Sequence, residues 1–211
     1  MESWYHRYIF PSLLDWLMSG EPFTGLRSQL LSPVRGQVLE IGLGTGLNLS
    51  HYPANLEALK SLDLSPALAR LASNRLAAAP FEVIHYLGSA ESMPFEERQF
   101  DQVISTWTLC SIADLDAALR EIKRVMRPGG VFRFVEHGAH PNPKIRAWQD
   151  RLNRLHNKLA SGCNLNRDIR SALLEHGFFF EQLECWEMAR TPKILGYHCM
   201  GAARLLRPEE P

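Results

Sequence analysis

The sequence predicts an α/β protein whose doubly wound, seven-stranded sheet is mostly parallel and carries helices on both faces. Three observations support this fold class. Apolar, β-branched segments alternate with helical patterns along the chain, which is typical of a parallel sheet covered by helices. A glycine-rich turn follows the first of these segments. The last two strand-like segments follow one another without a long helix between them, so we expect the last strand to be antiparallel.

The predicted elements follow in chain order, beginning with helical patterns in residues 1–35. Ser65 and Pro66 are a favourable N-cap and first helical residue for a helix over 66–78. Apolar spacing predicts an amphipathic helix over 114–126. We also expect a helix directly after the glycine-rich turn, one within 139–163 and one over 169–176. The strands are predicted at 38–41, 56–64, 81–87, 100–106, 131–136, 178–188 and 197–205.

Length and composition indicate one globular unit without a strong electrostatic preference. The 211 residues suit one domain with a substantial core. Hydrophobic residues make up 45% of the chain, which argues against disorder. The 23 basic and 23 acidic side chains give a formal net charge of zero. No nucleic-acid partner is therefore indicated, and a small-molecule or lipid partner is expected.

The glycine-rich turn lies in the segment VLEIGLGTGLNLSHYP, residues 38–53. Gly42, Gly44 and Gly46 can adopt positive φ angles and let a ligand approach the backbone closely. A dinucleotide-binding turn would place its third glycine at position 47, which is Leu47. Glu40 would also repel the phosphates of a dinucleotide. The pattern therefore favours a ligand that carries positive charge.

The sequence EIGLGTG, residues 40–46, resembles the first motif of the class I S-adenosylmethionine-dependent methyltransferases, methyltransferase type 11 in particular. Later segments are similar to further motifs of that family in the same order, namely Asp63 after the second strand, residues 88–101 and the sequence RPGG at 127–130. The resemblance implies a Rossmann-like fold, an enzyme and S-adenosyl-L-methionine as cofactor. A nicotinamide-dependent oxidoreductase shares this fold but fits the turn poorly.

Four short segments narrow the resemblance. They are TLCSIAD at 108–114, VEHG at 135–138, GCNLNR at 162–167 and HCMG at 198–201. They are similar to segments of bacterial small-molecule or phospholipid-type methyltransferases and of the mammalian microsomal alkyl thiol methyltransferases. The resemblance implies a small or lipophilic acceptor, preferably a thiol sulfur. An amine, as in a phospholipid head group, is the alternative, and a cofactor-binding module without catalysis is a further one.

The resemblance implies a cofactor site along the carboxyl ends of the first four strands. Asp63 is predicted to accept hydrogen bonds from the ribose, although it could instead cap the following helix. Ser89 stands where the family usually has aspartate, which leaves the adenine contact open between Ser89 and Glu91. The predicted cofactor-binding residues are Tyr5, Glu40, Gly42, Leu43, Gly44, Gly46, Asn48, Asp63, Leu64, Ser89, Ala90, Glu91 and Thr106.

Two segments are expected to flank the site. Residues 1–35 are predicted to form a helical cap over the cofactor end of a methyltransferase core at 36–211, and residues 139–165 a helical lid. Apolar residues in 4–18 and 139–160 would line the acceptor end. Tyr5 or its aromatic neighbours could close over the sulfonium through cation–π attraction, fill the edge of the core, or contact a membrane surface. No bilayer-spanning segment or signal peptide is apparent, so we expect a cytoplasmic protein, with peripheral membrane contact left open.

Acid–base chemistry is predicted at Glu136 and His137, at the carboxyl end of the fifth strand. A histidine there could take a proton from a thiol or an amine, or it could only hydrogen-bond to backbone in a turn. The second interpretation makes His137 structural.

The cysteines, Cys110, Cys163, Cys185 and Cys199, have neither zinc-finger nor redox-pair spacing. We therefore expect four reduced thiols and no metal site. Cys163 is expected to be inert, since Arg167 is the only nearby residue in the sequence suited to activating it.

Overall fold

The computed structural model describes residues 4–205, and these form a seven-stranded mixed sheet with helices around it. The strand order is β3-β2-β1-β4-β5-β7-β6. This arrangement confirms the predicted fold class, including the antiparallel last strand. The strands are β1 (Gln37–Ile41), β2 (Ala58–Asp63), β3 (Glu82–Leu87), β4 (Phe100–Thr106), β5 (Met126–His137), β6 (Phe178–Glu187) and β7 (Tyr197–Leu205).

Strand β1 pairs in parallel with both β2 and β4, so the chain reverses its winding direction at this point. In open α/β sheets, ligands bind in the crevice beyond the carboxyl ends of the strands at such a reversal. Strand β7 runs antiparallel between β5 and β6. The glycine-rich turn therefore lies at the position where this fold binds ligands.

Helices cover both faces of the sheet. They are α1 (Trp4–Tyr8), α2 (Phe10–Met18), α3 (Phe23–Leu31), α4 (Pro66–Ala77), α5 (Leu115–Val125), α6 (Pro143–Leu159), α7 (Ile169–Glu175) and α8 (Lys193–Gly196). One core cluster contains the buried side chains of α5 and α7, and a second contains Leu30 and Leu31 of α3 and Ala72 of α4. Within residues 4–205, none of these helices is long and apolar enough to cross a membrane.

Local signals explain most of the predicted bounds. Ser65 caps α4 by accepting a hydrogen bond from Leu68 N (3.3 Å), with Pro66 as the first helical residue. Strand β5 begins earlier than predicted because Met126 pairs with Phe100 before the register shifts. The prediction of a helix directly after the glycine-rich turn is wrong. Only a short 3₁₀ helix, Leu49–His51, forms before Pro53.

The disulfide between Cys185 and Cys199 joins β6 to β7, where the two residues are direct register partners. The expectation of four reduced thiols is therefore wrong for this pair. Sequence spacing could not reveal it, because the antiparallel register brings the two sulfur atoms together. Cys110 and Cys163 are free thiols.

Helix α6 turns a polar face inward. The amide oxygen of fully buried Gln149 accepts from His140 N (2.9 Å), and its amide nitrogen donates to the carbonyls of Gly138 (3.1 Å) and Ile194 (3.0 Å). These three hydrogen bonds fix α6 to the segment that leaves β5 and to α8.

The apolar side chains of α6 point largely to solvent. Trp148 is 56% exposed, Leu155 59% and Leu159 54%. The expectation that apolar residues of 139–160 line an acceptor end stays a prediction, and the inward face of α6 carries amide side chains. Trp4 and Tyr8 in α1 are also more than half exposed.

Candidate active site

The glycine-rich turn follows β1 directly and presents open backbone at its centre. Gly42, Gly44 and Gly46 all have positive φ angles, between 59° and 79°. A Cβ atom on Gly42 would lie 2.0 Å from the Thr108 hydroxyl oxygen, so this glycine is required by packing. A Cβ atom on Gly44 would meet no heavy atom closer than 4.0 Å. The turn is therefore packed at its start and accessible at Gly44.

The side chain of Leu43 is buried in the core cluster with α3 and α4. Leu43 can therefore face a ligand only through its backbone.

Asp63, at the end of β2, contacts the turn. One carboxylate oxygen accepts from Gly44 N (2.8 Å) and the other from Ser65 N (2.8 Å). Asp63 is not the N-cap of α4, because Ser65 holds that position. Each carboxylate oxygen has a further lone pair, so the predicted ribose contact is compatible with these hydrogen bonds.

Glu40 lies inside the protein beneath the turn. Its two carboxylate oxygens accept from the Asn48 amide (2.8 Å) and from the Tyr52 hydroxyl (2.9 Å). Burial raises the pKa of Glu40 to about 7, against a value of 4.5 for an accessible glutamate. Glu40 therefore anchors the turn from below. Nothing in the sequence pattern marked Tyr52 as its partner.

Asn48 connects the turn to β4 and to the N-terminal helices. Its amide nitrogen donates to Glu40 and also to the Thr106 hydroxyl (2.9 Å), while its amide oxygen accepts from the Arg27 guanidinium (3.0 Å). Burial lowers the pKa of Arg27 to about 10. Arg27 lies in α3 and escaped the sequence analysis because no motif includes it.

A second arginine connects the N-terminal helices to the turn. The Arg75 guanidinium donates to the Thr45 carbonyl (2.8 Å) and forms a salt bridge with Asp15 of α2 (2.7 Å). Tyr5 in α1 is half-buried, and its ring packs against His6 and Phe10. The N-terminal helices thus contact the turn through charged side chains.

The far end of the predicted cofactor site has an apolar edge. Leu64, the residue after β2, is 71% exposed, and Leu87, the last residue of β3, is 60% exposed. Ala90, three residues after Leu87, is buried. The Ser89 hydroxyl accepts from Glu91 N (3.1 Å), and the Glu91 carboxylate accepts from Asp114 N (2.8 Å). Glu91 therefore anchors the start of α5.

Trp107, directly after β4, is a feature that sequence reasoning missed. Its φ angle is 49°, a left-handed conformation that is uncommon for a bulky residue. Its ring packs against the Arg27 guanidinium (5.0 Å) and Phe23 (5.2 Å). Its buried Nε1 has no hydrogen-bond partner among the described residues. Strained backbone of this kind clusters at functional sites.

Glu136 shapes the loop after β4. One of its carboxylate oxygens accepts three hydrogen bonds of 2.9 Å, from the Ser105 hydroxyl, Thr108 N and Leu109 N. Burial raises the pKa of this carboxyl. The other oxygen is buried and unpaired within the described part of the chain.

The Cys–His cluster, defined as the side chains of Cys110, His137 and Cys163, lies at the carboxyl end of β5. His137 Nε2 is 2.9 Å from Cys163 Sγ, which is 3.6 Å from Cys110 Sγ. Cys110 and His137 are buried, and Cys163 is half-buried. The alternative that His137 Nε2 only meets backbone in a turn is wrong.

A second group suited to activating a thiolate, His137, contacts Cys163, and it lies too far along the chain to be found among the flanking residues. Arg167 instead donates to the carbonyls of Leu109 (2.6 Å) and Ile112 (2.5 Å). Asn164 makes two hydrogen bonds to the Cys110 carbonyl. The segments TLCSIAD, VEHG and GCNLNR therefore meet at the Cys–His cluster. Its members are up to 53 residues apart, so no local spacing could announce it.

A cavity of about 360 Å³ adjoins the cluster and is lined in part by the ends of β5 and β7. His137 contributes to its wall, together with Arg146, Arg167, Asp168 and Tyr197. This cavity has both polar and apolar walls, with Ile169 and Leu174 among the apolar residues, and contains no residue of the predicted cofactor site.

The mixed sheet with this strand order, its glycine-rich turn and the acidic residue at the end of β2 define a Rossmann-like fold. Residues 39–134 match a family model described as "Methyltransferase domain". The chain is 33% identical over 172 residues to human thiol S-methyltransferase TMT1A, covering 76% of this chain and 69% of that protein. The chain therefore belongs to the methyltransferase family that includes this human protein, and it is an S-adenosylmethionine-dependent methyltransferase.

Two further comparisons agree with this family and this fold. Human thiol S-methyltransferase TMT1B is 29% identical over 213 residues, covering 92% of this chain and 85% of that protein. The crystal structure of BH2331 from Bacillus halodurans, described as a putative methyltransferase, superposes with a TM-score of 0.70 at 18% identity. The superposition covers 88% of this chain and 99% of the BH2331 chain. The structural likeness confirms the fold.

Proposed function

We propose that this protein transfers the methyl group of S-adenosylmethionine to the sulfur of a small thiol. The observation that carries the acceptor assignment is the identity of 33% and 29% with two thiol S-methyltransferases, which extends well beyond the cofactor-binding motifs. The meeting of three subfamily segments at the Cys–His cluster supports the same assignment. A thiol needs little catalytic help, because its ordinary pKa of about 8.5 already lies near neutrality.

The residues along β1, β2 and β4 fit the methyl donor. Gly44 offers open backbone, Asp63 has free lone pairs beside it, and Leu64 offers an exposed apolar surface for a flat ring. Thr106 ends β4 beside the same crevice, and its hydroxyl accepts a hydrogen bond from Asn48 of the glycine-rich segment. When bound, S-adenosylmethionine supplies an electrophilic methyl group on a sulfonium. We propose these residues, with the backbone of Gly42–Gly46, Ser89 and Ala90, as its contacts.

The predicted acid–base pair divides into two roles. Glu136 is a positioning residue, since its oxygen fixes the loop Thr108–Leu109 through two backbone N–H groups. We place His137 at the acceptor end of the site, where its ring lies against sulfur. Methyl transfer requires the acceptor sulfur to lie about 3–3.5 Å from the methyl carbon and in line with the breaking bond. A rigid loop and a fixed imidazole serve this alignment.

The N-terminal helices and α6 are proposed to enclose the site. Arg27 and Arg75 tie α2 and α3 to the glycine-rich turn, so loss of the cap would disturb cofactor binding. Gln149 ties α6 to the segment that leaves β5. Both segments lie at the carboxyl edge of the sheet, which suits a cap and a lid.

An acceptor panel tests the proposal. Purified protein and S-adenosylmethionine are incubated with an alkyl thiol, the alcohol and the amine of the same chain length, and dispersed phosphatidylethanolamine. S-adenosylhomocysteine is quantified in each reaction. We expect turnover with the thiol alone. Turnover with the amine or the lipid instead would overturn the sulfur assignment, and cofactor binding without any turnover would indicate a binding module.

A further inference from the structure

We propose that the Cys–His cluster binds a soft divalent metal ion, Zn²⁺ by preference, which holds the acceptor sulfur as its fourth ligand. The three candidate ligand atoms, Cys110 Sγ, His137 Nε2 and Cys163 Sγ, all lie within 4.8 Å of one another. The metal site stands on this geometry alone. The role of the metal in catalysis rests on the proposed thiol methyltransferase function.

The distances suit tetrahedral zinc. Zinc–sulfur bonds of about 2.3 Å and zinc–nitrogen bonds of about 2.0 Å imply ligand separations of roughly 3.5–3.8 Å. The distance of 3.6 Å between the two sulfur atoms already falls in this range. The separation of 2.9 Å between His137 Nε2 and Cys163 Sγ must widen by roughly 0.6 Å. Cys163 is half-buried, so a small rotation of its side chain supplies this change.

The ligand chemistry selects the class of metal. Two thiolates and one imidazole favour Zn²⁺ and other soft ions, whereas Mg²⁺ and Ca²⁺ require oxygen ligands that the cluster does not contain. Three protein ligands are typical of catalytic zinc sites, which keep one coordination position open. Structural zinc sites use four. The open position is therefore available to an exogenous ligand.

The surroundings hold the ligands in place. Asn164 donates twice to the Cys110 carbonyl, and Arg167 fixes the carbonyls of Leu109 and Ile112 on either side of Cys110. Asn164 is held in turn by the Asn153 amide of α6 (3.0 Å). The backbone that carries Cys110 is therefore held independently of the metal, which lowers the conformational cost of binding.

The chemistry of the open position matches the proposed acceptor. A thiol that binds there loses its proton to solvent and becomes a metal-bound thiolate. A lone pair on its sulfur forms the bond to the methyl carbon. The bond between that carbon and the sulfonium sulfur breaks, and its electron pair stays on the departing S-adenosylhomocysteine. The product thioether is neutral and a weaker ligand, so it leaves the metal.

Metal binding by the full-length chain under reducing conditions tests the site. Zn²⁺ is titrated against a chromophoric chelator, and Co²⁺ is added separately as a spectroscopic probe of thiolate ligation. We expect one equivalent of Zn²⁺ per chain and a sulfur-to-cobalt charge-transfer band. Cys163→Ser, Cys110→Ser and His137→Ala should each weaken Zn²⁺ binding about 100-fold, because each removes one of three ligands. The double variant Cys185→Ser/Cys199→Ser is the matched control and should bind Zn²⁺ as the wild type does.

The outcomes separate the site from the proposed function. Absence of Zn²⁺ binding at micromolar concentrations would overturn the site, as would equal binding by folded Cys163→Ser and wild-type protein. Circular dichroism verifies that the variants are folded. Thiol methylation that is unchanged in chelator-stripped protein would overturn the catalytic role of the metal but leave the proposed function intact. Metal binding without methylation of any thiol would refute the proposed function and retain the site.

Discussion

Replacement of Glu40 by glutamine should change how the stability of the protein depends on pH. Glu40 is fully buried beneath the glycine-rich turn and is hydrogen-bonded by Asn48 and Tyr52. Burial disfavours its charged form and raises its pKa to about 7. Glutamine has nearly the same shape, can accept from Asn48 through its amide oxygen and donate to the Tyr52 hydroxyl through its amide nitrogen, and carries no charge at any pH.

The sign and size follow from the two pKa values of Glu40. Below pH 4.5 the carboxyl is protonated in both the folded and the unfolded chain. As the pH rises from there through about 7, the unfolded chain loses its proton first, and the folded state loses stability. The full loss is about 3 kcal/mol, at 1.36 kcal/mol per pKa unit. Glu40→Gln should abolish it.

His198 produces a slope of opposite sign, so the variant must be compared with the wild type. Burial lowers the pKa of His198 from 6.5 to about 4. Its contribution to stability is present above pH 6.5 and is lost as the pH falls through about 4. The two effects partly cancel in the wild type. The difference between Glu40→Gln and the wild type isolates the contribution of Glu40.

Urea unfolding at a series of pH values from about 5 to about 8 measures this difference. The free energy of unfolding of Glu40→Gln should gain about 2.5 kcal/mol relative to the wild type between the two ends of the series, because part of the full loss has already occurred at pH 5. Glu57→Gln, which removes an exposed carboxylate, is the control and should run parallel to the wild type. A pH-independent difference between Glu40→Gln and the wild type would show that burial does not raise the pKa of Glu40.

Three further predictions concern the site and its supports. Asp63→Ala should weaken S-adenosylmethionine binding by roughly 1.5–3 kcal/mol in calorimetry; unchanged affinity would remove Asp63 from the site. Gly42→Ala should lower the melting temperature by several degrees, since its Cβ would lie 2.0 Å from the Thr108 hydroxyl, whereas Gly20→Ala, with open space around it, should not. Gln149→Leu should destabilise the protein by about 3 kcal/mol in urea unfolding, because it leaves three backbone groups unpaired; a loss under 1 kcal/mol would contradict that.

The sequence predicted the sheet well because periodicity and capping are local properties. The N-cap residues Ser65 and Asp114 determine where their helices begin, and the alternation of strand and helix determines the parallel part of the sheet. The helix expected after the glycine-rich turn failed because Pro53 follows too closely. Helix α6 shows the limit of hydrophobic patterning, since Gln149 is its fully buried residue while Trp148 is exposed. Hydrogen bonds of Gln149 outweigh the hydrophobic pattern there.

The candidate site was predictable in part. Glycine spacing and the acid after β2 located the predicted cofactor crevice, because these signals lie within a few residues of each other. Arg27, Tyr52 and Trp107 were missed, since each reaches the crevice through tertiary packing. The Cys–His cluster was missed for the same reason. Its three segments were recognised individually, but only the fold brings their sulfur and nitrogen atoms together.

The most direct test of the central claim is the fate of the methyl group itself. S-adenosylmethionine with an isotopically labelled methyl group is incubated with the wild-type protein and an alkyl thiol, and both products are quantified by mass spectrometry. We expect one labelled S-methyl thioether for each S-adenosylhomocysteine formed. Formation of S-adenosylhomocysteine without labelled thioether, or no turnover in the presence of the thiol, would contradict it.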